Sequence, residues 1–251
     1  VTSPGRRWRA LAPDAADAYP RVTLDPEETH HLVRVLRARP GDRVDVFDGL
    51  GREWVGTFEG GSTVRLAEEL VAPVEPPVAI TLLQAGTRPE RFEWVLQKGT
   101  EIGITAFLWI ETARVEVEAP SPAKLERWRR IVVESAKQSG RRRVPTLDLE
   151  KEWPRPPASP AAFVLHPGAE GIAVALAEPG AARVEVAVGP EGGFEEAEAA
   201  ALAGLGWVPA GLGPRVLRTE TAGPLAAALI LHAWGDLGAA GAPVDSGEPR
   251  P

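Results

Sequence analysis

Apolar and polar residues alternate with a period of two across 43–47 and again across 53–58, with Asp48-Gly49-Leu50-Gly51 between them, which predicts a β-hairpin. Ahead of it, Asp25-Pro26-Glu27-Glu28 predicts a helix start: Asp as cap, Pro in the first turn, acids toward the positive dipole end. Leu32, Val33, Val35 and Leu36 follow as its apolar positions, and Gly60-Gly61 turns the chain into one more strand at 63–66. Residues 1–72 are therefore expected to form a small β-rich domain with one helix, its first twenty or so residues an irregular arm. The proline-rich stretch 71–77 reads as a stiff linker and marks a domain boundary. Beyond it, strand-like runs at 78–83, 106–110, 161–165, 184–188 and 207–212 alternate with helix-like runs at 90–102, 121–140, 170–177, 195–205 and 223–235. In the last of these, Gly223-Pro224 suits a helix start, because proline lacks the N–H that an interior position needs. Strand–helix alternation predicts an α/β domain over 78–236 with a mainly parallel sheet, whose ligands bind at the carboxyl ends of the strands. Residues 237–251 are small, polar and proline-bearing and are expected to form a disordered tail.

Composition narrows the chemistry. The chain has 251 residues and no cysteine, which excludes disulfides, thiolate zinc sites and a cysteine nucleophile. His30, His31, His166 and His232 are too scattered for a metal motif, so no metal is expected. No apolar run is long enough to span a bilayer, and the arginine-bearing N-terminus lacks the apolar core of a signal peptide; the expectation is a cytoplasmic protein without a membrane partner. A net charge of −7 argues against a general nucleic-acid coat. Locally, however, residues 124–143 carry eight basic side chains against two acidic ones, enough to steer a polyanion.

Two glycine-bearing loops near the end of the chain carry the functional signal: Val188-Gly189-Pro190-Glu191-Gly192-Gly193-Phe194 and Leu212-Gly213-Pro214-Arg215-Val216-Leu217-Arg218-Thr219-Glu220-Thr221. Each lies between an apolar run and a helix-like segment, where glycine lets a ligand approach the backbone. The alternatives are a plain βα turn for the first and a capped, solvated loop for the second. Glu195, Glu196 and Glu198 open the helix after the first loop and would compete with phosphate for the dipole's positive end, which disfavours a pyrophosphate cofactor such as NAD. A nucleoside carrying positive charge suits such a site better. Basic residues at 137–143 read either as favourable helix C-terminal charge or as a phosphate-contacting patch.

Taken together, Gly-Pro-Glu-Gly-Gly-Phe at 189–194, the 212–221 segment, Gln97-Lys98 with Glu101, Glu134 with Lys137-Gln138-Ser139-Gly140-Arg141, and His30-His31-Leu32-Val33-Arg34-Val35-Leu36-Arg37 resemble the RsmE-type 16S rRNA (uracil-N3)-methyltransferases. The resemblance covers about residues 28–236. It implies a SPOUT-type α/β domain with a C-terminal trefoil knot, preceded by a small PUA-like β-barrel that binds RNA. It implies S-adenosyl-L-methionine as cofactor, held by Leu165, His166, Pro167, Gly189, Pro190, Glu191, Gly192, Gly193, Leu212, Gly213, Arg215, Leu217, Arg218, Thr219 and Ala222. The implied substrate is 16S rRNA of the small ribosomal subunit, and the implied assembly is a homodimer. Arg34, Arg37, Lys98, Lys137, Arg141, Arg142 and Arg143 are the expected RNA contacts, with Arg142 standing where the family often has Asn. Arg218 and Glu220 are the catalytic candidates: an arginine can stabilise a uracil anion, and Glu220 or His166 has the chemistry of a general base. A related enzyme acting on another RNA, a non-catalytic ribosome-assembly factor and a nicotinamide oxidoreductase are the competing readings.

Overall fold

The computed structural model describes residues 8–71, 74–172 and 181–238. The chain divides into two compact units. One takes in the residues up to Glu75 together with Ala136–Val144; the other takes in Pro76–Ser135 and the residues from Pro145. The first unit is thus not one continuous stretch.

In the first unit a five-stranded sheet has the order β1-β3-β4-β5-β2, where β1 is Trp8–Leu11, β2 Arg21–Thr23, β3 Val44–Phe47, β4 Glu53–Gly60 and β5 Thr63–Glu69. The expected hairpin is β3–β4, paired antiparallel through Val46↔Trp54 and Phe47↔Glu53. Its turn is tied by the Asp48 carboxylate, whose Oδ1 accepts from the backbone N–H of Leu50, Gly51 and Arg52 at 2.7, 3.0 and 3.0 Å. The expected irregular arm instead contributes β1, which pairs in parallel with β3, and a short helix α1 (Ala15–Ala18); residues 1–7 lie outside the described ones. Alternation is hard to read in so short a strand. Helix α2 (Pro26–His30) starts as its sequence dictates, Asp25 accepting from Glu28 N–H at 2.8 Å, and runs on as a π turn over His31–Val35.

The second unit holds a six-stranded sheet in the order β11-β9-β10-β6-β7-β8, with β6 Ala79–Ala85, β7 Ala106–Ile110, β8 Thr146–Leu149, β9 Ala161–Leu165, β10 Arg183–Val188 and β11 Val208–Ala210. Every neighbouring pair is parallel. Strand β8 has no counterpart in the sequence reading, being a short edge strand with one buried residue, Leu147. The helices are α3 (Pro89–Ile102), α4 (Pro122–Ser139), α5 (Glu196–Gly204) and α6 (Thr219–Ala233). Helix α4 crosses from the second unit into the first, which receives its last turn. Helix α6 begins at Thr219, four residues earlier than Gly223-Pro224 suggests, and carries Pro224 inside. The cost is one helical hydrogen bond, the one that would end on the carbonyl of Glu220. The helix-like run at 170–177 and the tail at 237–251 both fall largely outside the described residues.

Candidate active site

The carboxyl ends of β9, β10 and β11 open into one cavity of about 680 Å³. Three sequence segments wall it: Leu165-His166-Pro167 after β9, 188–194 after β10, and 210–222 after β11 into the start of α6. Parallel pairing forces this convergence, since β10 lies beside β9 and β9 beside β11 with all three running the same way. The loops are shaped by glycines with left-handed backbone, Gly193 at φ 67° and Gly213 at φ 103°, a region other residues seldom adopt.

A buried relay fixes the floor. The side chain of Gln84, the residue of β6 that pairs with Val188 of β10, donates from Nε2 to Thr219 Oγ1 at 2.8 Å. That donation commits the threonine hydroxyl to the carbonyl of Gly189, 2.6 Å away. Both side chains are buried, so α6, β6 and the 189–193 loop are locked to one another. At the rim, Thr87 Oγ1 donates to Glu191 Oε1 at 2.7 Å, and Arg91 Nη1 forms a close ion pair with the same oxygen. Burial alone would raise the Glu191 pKa. The hydrogen bonds from Thr87 and Arg91, with the charge of Arg91, outweigh it and hold the carboxyl below the usual glutamate range. From the other side Arg114 Nη1 donates to the carbonyl of Gly192 at 2.7 Å.

All fifteen residues expected at the cofactor line this cavity, Leu165 to Pro167, Gly189 to Gly193 and the 212–222 set among them. Arg218 lines it too, with 79% of its side chain exposed. Glu220 does not: its Oε1 sits 3.7 Å from Arg91 Nε and 3.9 Å from Arg218 Nη1, behind the wall, and its Oε2 is buried without a hydrogen-bond partner. The acids at the start of α5 do not make the cavity acidic. Glu198 accepts from the backbone of Glu195 and Ala113, and Glu195 faces Arg114. The charged wall consists of Arg91, Arg114, Arg215, Arg218 and Glu191. Sequence reasoning missed Gln84, Thr87, Arg91 and Arg114. The rule that ligands meet strand carboxyl ends points to the segments after β6 and β7, where the last three of these lie.

The expected basic patch is largely internal to the first unit. Lys137 pairs with Glu28, Arg141 with Glu75 at 2.9 Å and Arg142 with Glu53 at 3.0 Å, and all three basic side chains are buried. They cannot present open cations to RNA without breaking buried ion pairs, because partners distant in sequence neutralise them. Arg143, Arg34 and Arg37 are exposed, and Lys98 is bound to Glu101 at 2.9 Å. Among the described residues no helix is long and apolar enough to cross a membrane, and no group of three or more His, Cys, Asp or Glu side chains could hold a metal.

Residues 74–231 match the RNA methyltransferase domain, and 24–66 match the RNA methyltransferase PUA domain. The chain is 36% identical to ribosomal RNA small subunit methyltransferase E of Mycobacterium tuberculosis over 223 residues, 82% of this chain and 84% of that one. Among solved structures, ribosomal RNA small subunit methyltransferase E of Neisseria gonorrhoeae bound to S-adenosyl methionine is 30% identical with a TM-score of 0.77, covering 92% of this chain and 98% of that one. A Legionella pneumophila methyltransferase in complex with the cofactor SAM is 29% identical with a TM-score of 0.79, covering 91% and 97%.

Proposed function

This chain belongs to the RNA methyltransferase family of the ribosomal RNA small subunit methyltransferase E proteins, and from that premise we propose that its cavity transfers the methyl group of S-adenosylmethionine to N3 of a uridine in 16S rRNA. The observation that carries the reading is the convergence of three strand-end loops on one cavity of about 680 Å³, a size ordinary for a cofactor-binding cleft. The residues present fit the cofactor. Apolar Leu165, Val188, Leu212 and Leu217 offer a slot for a planar base, and backbone groups of 189–193 and 212–213 offer hydrogen bonds to a nucleoside. S-adenosylmethionine supplies the methyl on a sulfonium, and the chain's contribution is position and charge.

Uracil N3 carries a proton in the neutral base and lies on the pairing edge, so the target must be unpaired and turned outward. Arg218, in the wall and well exposed, stabilises the negative charge that spreads onto the uracil oxygens as the proton leaves. Glu220 acts through Arg218 and Arg91, whose guanidinium groups share its Oε1, and so is a positioning residue. His166, which lines the cavity, is the better placed of the two groups able to take the proton. Exposed Arg34, Arg37 and Arg143 remain the contacts to RNA from the first unit.

Three further readings accompany this one. The order of β11, β9, β10 and β6, with the last three strand-end loops facing one cavity, supports a knotted threading of the C-terminal third. Exposed Trp94 and Val216 in the second unit support a homodimer. A substrate in the small ribosomal subunit supports a cytoplasmic location. The test is mass spectrometry of small-subunit rRNA from a strain lacking this protein, with and without it restored. N3-methyluridine that appears only on restoration is the expected result, and its appearance without the protein overturns the reading.

A further inference from the structure

We propose that Arg91 and Arg114 are receptors for the RNA phosphodiester backbone beside the target nucleotide, an inference that rests on the rRNA methyltransferase reading above. The two arginines reach the cavity from different segments, Arg91 from the first turn of α3 and Arg114 from the loop after β7. Each is anchored by a hydrogen bond through Nη1. Arg91 engages Glu191 through Nη1 and lies 3.7 Å from Glu220 through Nε. Arg114 donates to Gly192 O at 2.7 Å through Nη1 and lies 3.7 Å from Glu195 through Nε. In neither is Nη2 hydrogen-bonded among the described residues. A guanidinium carries five N–H donors in a planar fork, so both keep donors to spare in a geometry already set. A cation held in place loses less side-chain entropy on meeting a phosphate than a free one does. Both remain reachable, with side chains 31% and 48% exposed.

The ligand class follows from charge. With Arg215 and Arg218 they make four guanidinium groups on a wall whose single carboxylate among the described residues is Glu191. A sulfonium donor is itself a cation and has no use for such a collar, and its one carboxylate could occupy a single arginine. A run of phosphodiesters supplies an anion to each. The buried pairs of Lys137, Arg141 and Arg142 take that part of the basic segment out of reach, and the wall of the cavity offers the second unit its own concentration of cations.

The experiment uses the full chain, S-adenosylmethionine and 16S rRNA transcribed in vitro. Calorimetry gives the cofactor Kd, and RNA affinity is measured from low to high KCl at constant magnesium. For the Arg91→Gln, Arg114→Gln double variant, the slope of log K against log[KCl] is expected to flatten by about 1.5, at roughly 0.7–0.9 per lost cation. Cofactor Kd is expected to rise several-fold, because Arg91 and Arg114 also hold Glu191 and Gly192 of the 189–193 loop, and the Arg91→Lys, Arg114→Lys pair is expected to restore the slope. Should the double Gln variant fold poorly, Arg114→Gln alone decides, with an expected flattening of about 0.8. Lys151→Ala, an exposed cation away from the cavity, should leave the slope as it is. An unchanged slope in the Gln variants overturns the proposal. So does loss of cofactor affinity with the slope intact, which would assign the two arginines to the donor's carboxylate. If the wild-type chain binds no S-adenosylmethionine, it is the methyltransferase reading that fails, whatever the slopes.

Discussion

Replacing Thr219 by Val removes one hydroxyl and keeps the shape, and that hydroxyl is the middle of the Gln84–Thr219–Gly189 relay. Two bonds go, of 2.8 and 2.6 Å. Gln84 is wholly buried, and its Nε2 is left with only a 3.5 Å contact to the carbonyl of Ala85. An unsatisfied buried donor costs about 1–3 kcal/mol. The Gly189 carbonyl borders the cavity and can turn to water, so its loss falls at the low end of that range. The sum is about 2–4 kcal/mol. If the 189–193 loop absorbs it by leaving its bound shape, cofactor Kd rises about 30- to 700-fold, at tenfold per 1.4 kcal/mol. If the folded state absorbs it, the midpoint of thermal unfolding falls by several degrees instead. Calorimetry with S-adenosylmethionine and thermal unfolding on the same samples partition the two. Thr219→Ser keeps the hydroxyl and should bind the cofactor within a few-fold of wild type. Gln84→Leu combined with Thr219→Val removes the stranded amide and should recover part of the loss, since two partners replaced together cost less than one orphaned. Wild-type affinity and stability in Thr219→Val, or a Ser variant as impaired as the Val variant, would refute the relay.

Arg218→Ala should keep cofactor binding and lower kcat by about 10²–10³, the scale for losing one group that stabilises developing negative charge; unchanged turnover on 16S rRNA removes Arg218 from catalysis. Gly211→Ala should fail to fold stably or should lose cofactor affinity, because a Cβ there would overlap the carbonyl oxygen of Ala169 beside the cavity; a fully soluble variant with wild-type Kd contradicts the packing. Glu191 titrates below the usual glutamate range, so its contribution to holding the 189–193 loop is present above the ordinary carboxylate pKa and lost as pH falls through the lowered one. Cofactor affinity should therefore weaken on acidification below that range in wild type and respond less in Glu191→Gln, which calorimetry across pH will read. Glu53, almost wholly buried between Arg9 at 2.8 Å and Arg142 at 3.0 Å, should cost about 3–5 kcal/mol when changed to Ala, seen as a lowered denaturant midpoint.

How much of this was legible in the sequence follows from the range of the interactions. The hairpin turn at Asp48 and the start of α2 at Asp25 are settled within four residues, and pattern reading finds them. The loops that line the cavity are legible for a related reason: glycine between an apolar run and a helix is a local signature, and parallel pairing then brings the loops together. Charge is another matter. The segment 124–143 looks like a polyanion grip when counted along the chain, yet the partners of its last arginines, Glu53 and Glu75, lie more than sixty residues away. Arg9 completes that arrangement from still farther off, donating to the carbonyls of Ala136, Lys137 and Arg141 at the end of α4. A guanidinium that fills a helix C-terminus and a carboxylate that fills a buried arginine look, in sequence, like any other exposed charge. The same blindness ran the other way at the cavity. Arg91 and Arg114 stand in unremarkable surroundings, and only the fold brings them to Glu191 and Gly192. Both errors have one origin: a charge's role depends on whether its counter-charge lies within about 4 Å, where the interaction outruns screening, and that distance is set by topology. For this chain, the proposed RNA-facing role passes from Lys137, Arg141 and Arg142, which a count along the chain favours, to arginines that the fold sets at the cavity.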